Sequence, residues 1–440
     1  MRNITCDISI IGAGPSGLCA AWYLSKHYDV IIIDHQGIGG CHRVEYEDIT
    51  EDDAVISIND MPIEHGPRVY SEAFVNARKW LNDMGINMMD YMKPYKSGFL
   101  AIAKKMGSNL SVMDFVKLTG HFFMFLFGYN NNNPLMDMNL SEEGQIFMDK
   151  FCRLTDGAAA DTYPIYKFME LINQHPMSNM LIPNKSMDHL WDIVKQKLIS
   201  RGVRFFDDKI TAVNISDTMC MGKNNYLSTK IMLAIPPKNL LDFPNVMELF
   251  DISEQWIKDH GYIWYDSYQI IIPYKVNNSD WGLLNDPNGL VWINMSDYWD
   301  IDYTYISAAL TDVPDIPAEE RKEYVKKTIA DYMNVPINDI IIKNGLSMPS
   351  FVEHHEYKTY PSCRNGNIFL LGTHTGLSKY AFTSMESAVE STMKCIKKII
   401  PETLYIKSRI TLRHILVFII VIVILLIAIH YNISSHLYRQ

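Results

Sequence analysis

Gly12, Gly14 and Gly17 stand in the run Gly-Ala-Gly-Pro-Ser-Gly, directly after the apolar stretch Ile8-Ser-Ile-Ile11, and Asp34 follows a second apolar stretch, Val30-Ile-Ile-Ile33. These residue types at this spacing can hold a diphosphate. Gly12 permits the tight turn out of a strand, Gly14 removes a Cβ where a pyrophosphate must approach the backbone, and Gly17 lets a helix pack closely on the strand. Pro15 and Ser16 open that helix, whose unpaired N–H groups and partial positive charge favour an anion without a lysine. Asp34 falls where a carboxylate accepts hydrogen bonds from ribose hydroxyls. The chemistry predicted is redox, through a bound dinucleotide.

The elements that must position these residues are a strand, a glycine turn, a helix and a second strand, which is the context the motif requires. Gly39-Gly40 adds a second glycine turn just past the acidic residue, with Arg43 as a pyrophosphate partner. Such a second turn recurs in flavoproteins of the glutathione-reductase-like class, which moves the expectation from NAD to FAD. No second Gly-x-Gly-x-x-Gly and no redox Cys-x-x-Cys occur in the chain. This argues against a separate NAD(P)H domain and against a disulfide reductase.

At 440 residues with 48% hydrophobic content, the chain is long enough for two lobes and an additional segment. Its net charge of −10 leaves no basic stripe for nucleic acid, so the expected partner is a small-molecule substrate. The seven cysteines, Cys6, Cys19, Cys41, Cys152, Cys220, Cys363 and Cys395, lack metal-ligand spacing and read as reduced thiols. No metal is expected, and the sequence leaves the oligomeric state open.

The first core strand begins by about Asp7, which is too early for a signal peptide. Residues 415–429 are almost entirely Ile, Leu, Val and Phe, and 410–431 is long enough to cross a bilayer at about 1.5 Å per residue. Lys394, Lys397, Lys398, Lys407, Arg409 and Arg413 precede this segment and only Arg439 follows it. The expectation is a tail anchor in the lipid bilayer with the body on the cytosolic side, in either the endoplasmic reticulum or the mitochondrial outer membrane.

Between the ends, an amphipathic helix is expected at 72–84 with Gly85 as its cap. Residues 91–190 read as mostly helical, and the aromatic run 121–127 reads as core rather than substrate funnel. A helix is expected at 187–200 and another at 318–333. Strands are expected at 209–215, 230–235, 268–272, 290–294 and 303–310. Glu353 with His354-His355 is a candidate acid–base group, but neighbours on a strand face opposite ways, so the structural reading is preferred.

These residues together carry a resemblance. The chain resembles the FAD-dependent amine oxidase family, which contains monoamine and polyamine oxidases and is related to phytoene desaturase and protoporphyrinogen oxidase. The resemblance runs through Gly12/Gly14/Gly17, Asp34 and Gly39-Gly40, the Glu64-His-Gly66-Pro-Arg68 turn, Gly202-Val, the stretch from Lys209-Ile210, and Leu233-Ala-Ile-Pro-Pro237. Its most specific part is Gly366-Asn-Ile-Phe-Leu-Leu-Gly372-Thr373-His-Thr375 followed by Ser384-Met385-Glu386. The resemblance implies an α/β fold in which a glutathione-reductase-like Rossmann FAD domain (1–90, 190–240 and 345–400) is interleaved with an α+β substrate domain (91–189 and 241–344). A transmembrane anchor at 410–431 and a short tail at 432–440 complete that expectation. It further implies that Gly66, Arg68, Gly372, Thr373 and Met385 lie along the flavin and that backbone near Ile210 holds the adenine. The reaction implied is transfer of a hydride from an amine or allylic carbon to flavin N5.

The departures from the family pattern are specific. Gly40-Cys41-His42-Arg43 displaces the arginine that the family places directly after its glycine pair. Cys363 and Cys395 are poorly placed for a covalent link, so the FAD is expected to be noncovalent. Gln269 falls where many members have a flavin-facing lysine, Ser384 replaces a cage tyrosine, and His374 stands where an acidic residue is usual. Gln269, Tyr380 and Phe382 are therefore the candidate residues at the reacting centre, with Arg68 and Lys379 chosen on position. Two other readings stay open. A UDP-galactopyranose mutase-like flavoenzyme is suggested by Gly66-Pro-Arg-Val-Tyr, and a non-catalytic flavin-fold membrane protein by the eroded motifs.

Overall fold

The structure is a computed structural model that describes residues 2–49, 58–95, 109–156, 159–175, 178–259, 265–277, 282–283, 289–311, 316–346, 359–381, 383–401 and 410–437. The strand Ile8–Ile11 pairs in parallel with Val30–Ile33, and the helix Pro15–Leu24 forms the crossover between them. All eight strand residues and all ten helix residues are buried, except that Ser9 and Ser16 contribute polar groups to that interior. A parallel sheet covered on both faces requires such unbroken apolar runs. Lys230–Leu233 and Ile368–Leu370 extend the sheet on one side and Arg204–Phe206 on the other, with Arg364–Asn365 as an antiparallel edge.

One face of this sheet is covered by Pro15–Leu24, by Val75–Asp83, by Asp188–Ile199 and by Met385–Ile396, around a core that includes Trp80 and Trp191. The other face packs on Val213, Tyr226 and the segment from Leu240 to Ile257, which holds the short helices Pro244–Leu249 and Glu254–Lys258. The nucleotide lobe therefore reaches beyond the expected boundary at 240, because Phe243, Val246 and Phe250 bury their side chains under its sheet.

The second lobe is a five-stranded antiparallel sheet in the order Gly282–Leu283, Leu290–Asn294, Thr304–Leu310, Asp266–Ile272, Ile341–Asn344. The helix Ala318–Met333 covers one face. The other face meets the helices Val112–Leu126, Glu142–Asp156 and Ile165–Gln174 in a core rich in phenylalanine, tyrosine and methionine. The expected strands and helices fall within a few residues of those observed, apart from 209–215, of which only Ala212–Asn214 is strand. The aromatic run 121–127 is a correction: Phe125 is buried, but Phe123 is 50% and Phe127 85% exposed, so much of the run faces outward instead of forming core. Glu353, His354 and His355 lie outside the described residues.

The expected anchor segment is helical, Leu412–Leu437, and its side chains from Val417 to Ile427 are exposed. Arg413 fastens its base, with its backbone N–H donating to Asn173 Oδ1 at 3.0 Å and its Nη2 to the Phe125 carbonyl at 2.6 Å. Among the described residues no helix is long and apolar enough to cross a membrane.

Candidate functional site

The two lobes meet on a cavity of about 830 Å³ whose walls run from the glycine turn to the antiparallel sheet. Gly12, at φ +105°, bends the chain where a Cβ would stand 2.5 Å from the Ala234 carbonyl oxygen. Gly40, at φ +59°, lies so close to the first turn that a Cβ would meet Gly14 Cα at 2.9 Å. Both contacts are with backbone, which has no side chain to move aside, so the two turns form a cradle only while these positions lack a Cβ. Gly14, Pro15 and Ser16 line the cavity at the N-terminus of the Pro15–Leu24 helix, where unpaired N–H groups receive an anion.

Asp34 lines the same end. Its Oδ2 accepts from the Ala13 N–H at 2.7 Å and its Oδ1 from the Gln36 N–H at 2.7 Å, so the carboxylate is fixed by backbone from both flanking turns. Ile210 lines the cavity beside Asp208 and Lys209. Arg43 and Arg68 both line it, and Arg68 donates from Nη2 to the Cys41 carbonyl. Gly372, Thr373 and Met385 line it as well, with Gly372 close to Ser16. Gly17, Gly39 and Gly66 are not among the lining residues: Gly17 packs the helix on Gly12, Gly39 lies against Trp191, and Gly66 lies against Ala309 and Tyr265.

The centre of the cavity carries a histidine–tyrosine pair that the sequence reading did not single out. His65 Nδ1 is 2.8 Å from the Leu346 carbonyl oxygen and its Nε2 is 2.7 Å from Tyr265 Oη. A carbonyl can only accept, so the ring proton sits on Nδ1, and Nε2 accepts the Tyr265 hydroxyl. Burial first, then the charges of Arg68 and Arg43, hold the His65 pKa down to about 4 despite its bond to Leu346. The imidazole is therefore neutral at ordinary pH. The signal was present in the sequence, since His65 lies inside the Glu64-to-Arg68 turn and Tyr265 four residues before Gln269. His42 is likewise held well below its usual pKa, chiefly by burial and then by Arg68, and its Nδ1 lies 2.7 Å from Tyr70 Oη.

The candidates for the reacting centre fare differently. Gln269 is fully buried, donates from Nε2 to the Glu64 carbonyl at 3.0 Å, and accepts from Tyr305 Oη at 2.7 Å. It does not line the cavity, so this amide ties the sheet to the Glu64 turn and does not face a donor. Tyr380 stands one layer back. It donates to Nε2 of His175, whose Nδ1–H is given to the Leu171 carbonyl, and it is His175 that lines the cavity. Lys379 is exposed and Phe382 lies outside the described residues. Glu386 is buried, and its carboxylate accepts from the Asn76 and Ala77 backbone N–H groups and from Asn76 Nδ2. It thus serves the first turn of the Val75–Asp83 helix. Cys363 and Cys395 are buried and absent from the lining, whereas Cys41 lines the cavity.

The end farthest from the glycine turn is aromatic and aliphatic, built from Tyr95, Phe151, Phe168, Leu171 and Ile293, with Arg153 in the wall. It can hold an apolar body and keep water from it.

Residues 10–84 match the family model of the NAD(P)-binding Rossmann-like domain. No curated protein matches the sequence. Putrescine oxidase bound to putrescine is similar in structure, with a TM-score of 0.60 at 15% identity over 91% of this chain and 100% of that one. Cyclohexylamine oxidase from Brevibacterium oxydans gives a TM-score of 0.61 at 13% identity over 90% of this chain and 99% of that one. An oxidoreductase from Methanosarcina mazei gives 0.59 at 12% identity over 90% and 100%. The chain has the fold of these amine oxidases. The match spans both lobes, so the expected mixed α/β fold with a Rossmann-like domain holds, as does the likeness to the amine oxidases at the level of fold.

Proposed function

We propose that this protein is an FAD-dependent oxidoreductase of the amine oxidase type, taking a hydride from carbon beside nitrogen or from an allylic carbon. The observation that carries the reading is the continuity of one cavity from a Cβ-free glycine cradle with a fixed carboxylate, Asp34, to an apolar end. The residues fit the cofactor. The turn at Gly12 to Ser16 and the helix behind it would hold the pyrophosphate, with Arg43 or Arg68 beside it, and Asp34 would hold the ribose. FAD, when bound, supplies the hydride acceptor. The chain's own residues bind and orient. The apolar wall excludes water, and Tyr265, whose proton is committed to His65, can only accept a further hydrogen bond at its oxygen. With His65 neutral and Gln269 turned inward, no strong base among the candidates faces the donor, so these residues position and do not take the proton.

The test is the absorption spectrum of the purified protein before and after acid precipitation. The expected result is yellow protein that releases flavin to the supernatant, followed by bleaching with an amine or allylic donor under exclusion of oxygen. Bleaching that requires no donor but dithionite, with turnover of UDP-galactopyranose, would favour the mutase-like alternative. A folded, colourless protein would favour the non-catalytic one.

We further infer that the body sits at a lipid bilayer through the helix Leu412–Leu437, with the lobes on the cytosolic side. Its support is the row of exposed Ile, Leu and Val side chains and a helix of 26 residues, about 39 Å at 1.5 Å per residue. Sedimentation with phospholipid vesicles is expected for the full chain and not for one ending at residue 409. Equal recovery of both in the supernatant overturns it.

A further inference from the structure

We propose that the outer face of the helix Val112–Leu126 lies flat on a lipid bilayer, as a membrane contact of the body separate from the tail helix. The occupant is set by the bilayer reading of Leu412–Leu437 above, on which this rests.

At about 3.6 residues per turn, Val112, Val116, Phe123 and Phe127 fall within roughly 60° of one another, so they form one stripe along about four turns. Val112 is 83% and Val116 59% exposed, and Phe123 and Phe127 are the outward rings of the aromatic run. Met113 and Met124, both exposed, widen the stripe on one side. The two charged residues of the helix stand elsewhere. Asp114 is buried, accepting from the Ser111 N–H at 2.8 Å and the Ser141 N–H at 2.7 Å, and Lys117 is half-buried and donates to the Asn139 carbonyl. A helix on a protein surface ordinarily turns its charges to water and its apolar side chains inward. Here the outer stripe is apolar and both charges are turned away from it. That arrangement suits the boundary between headgroups and acyl chains, where a helix buries an apolar face by about 5–10 Å.

The foot of the tail helix lies against the same element. Besides its bond to the Phe125 carbonyl, the Arg413 guanidinium stands 5.0 Å from the centre of the Phe125 ring. Phe123, Met124 and Phe127 are each within two residues of Phe125, and the tail side chains are exposed from Val417 to Ile427. The tail therefore leaves the body within about one turn of Arg413, beside one end of the stripe. Two apolar surfaces that meet at one point face one medium, and Arg413 brings its charge to the level where an arginine snorkels to headgroups. Tyr129, 57% exposed just past the stripe, is a ring type suited to that level. The contact also orients the site. The helix Ile165–Gln174 receives Arg413 through Asn173 and lines the apolar end of the cavity with Phe168 and Leu171, so that end stands about one helix thickness, roughly 10 Å, from the tail's foot.

The experiment reads tryptophan quenching by phosphatidylcholine vesicles brominated on their acyl chains, using the full chain with Val116→Trp or Phe127→Trp. Both positions are exposed, so neither substitution disturbs the core. The emission each adds is expected to be quenched at least twofold more than that of the unaltered chain. The two positions lie about 16 Å apart along the helix, so quenching at both requires a helix lying flat. Ile199→Trp, at a residue 44% exposed on the Asp188–Ile199 helix of the nucleotide lobe, is the reference and is expected to show no such gain. A gain at Phe127 alone, at neither position, or equally at Ile199 overturns the proposal. A dimer of the full chain in detergent that Phe123→Ser with Phe127→Ser dissociates would mean that a second copy covers the stripe, which overturns it as well. Sedimentation with the vesicles separates the two readings. A full chain left in the supernatant overturns the anchor and this contact together, and a full chain that sediments without the quenching overturns this contact alone.

Discussion

Removing the Glu386 carboxylate tests how the lobe that holds the cofactor cradle is tied together. Glu386 is fully buried and meets three donors: the Asn76 N–H at 3.0 Å, Asn76 Nδ2 at 2.9 Å and the Ala77 N–H at 2.8 Å. Two of these are first-turn N–H groups of the Val75–Asp83 helix, which have no partner inside that helix. In Glu386→Ala each buried donor left unmet costs about 1–3 kcal/mol, and the lost anion at a helix N-terminus about 0.3–1 kcal/mol more. Because the donors share one acceptor group, these terms do not simply add, and a loss of about 3–5 kcal/mol is expected. Glu386→Gln keeps one oxygen acceptor in the same space and should lose about 1–3 kcal/mol. The assay is urea unfolding followed by tryptophan fluorescence, for which Trp80 on the same helix is a reporter, with flavin retention on gel filtration read in parallel. A Glu386→Ala midpoint within about 0.5 kcal/mol of the unaltered protein, or a glutamine variant as damaged as the alanine one, would refute the capping argument.

Gly40→Ala forces a Cβ to within 2.9 Å of Gly14 Cα at a φ of +59°, so FAD affinity is expected to fall at least tenfold in a flavin titration. Gly37→Ala, with φ +93° but nothing within 4 Å, should cost stability while leaving that affinity within about twofold. His65 has its folded pKa depressed to about 4, so between its unfolded value near 6.5 and about 4 the unfolded chain binds the extra proton, and stability falls as pH is lowered through that window. The loss expected is roughly 2–4 kcal/mol. Urea midpoints at pH 7, 6 and 5 should show a shallower dependence in His65→Gln, and parallel slopes would count against the assignment. Tyr265→Phe removes the proton donated to His65 Nε2 and should weaken donor binding with flavin content unchanged, read as a rise in KM larger than the fall in kcat.

The cofactor end of the site was legible in the sequence because it is made of backbone. Gly12, Gly17 and Gly40 are required by turns and close approaches, and such requirements leave their mark as residue identity at fixed spacing. Asp34 was legible for the same reason, since its place is fixed by the end of a strand. The apolar end was not. Its residues come from helices and strands far apart in the chain, and Phe151, Phe168 and Ile293 carry the same helical or alternating pattern as any core position. Gln269 misled because position along a strand fixes which face a residue occupies but not whether that face opens on a cavity or on a buried tie to the Glu64 carbonyl. The 121–127 run misled because an aromatic stretch on a helix reads as core whether or not a second layer covers it.

These two modes of construction place different demands on the sequence. A diphosphate is recognised by backbone N–H groups at a helix N-terminus, which many sequences can supply, and the fold is shared with structures at only 12–15% identity. Donor choice depends instead on a few polar groups in an apolar wall, and one guanidinium there outweighs many neutral contacts, because charge is felt most strongly where water is excluded. In this cavity Arg43, Arg68 and Arg153 line the wall together with Lys209, Asp34, Asp208 and Asp242, while the imidazole of His65 is kept neutral by burial and by Arg68 and Arg43. Protonating His65 would set a further positive charge beside groups that already repel it.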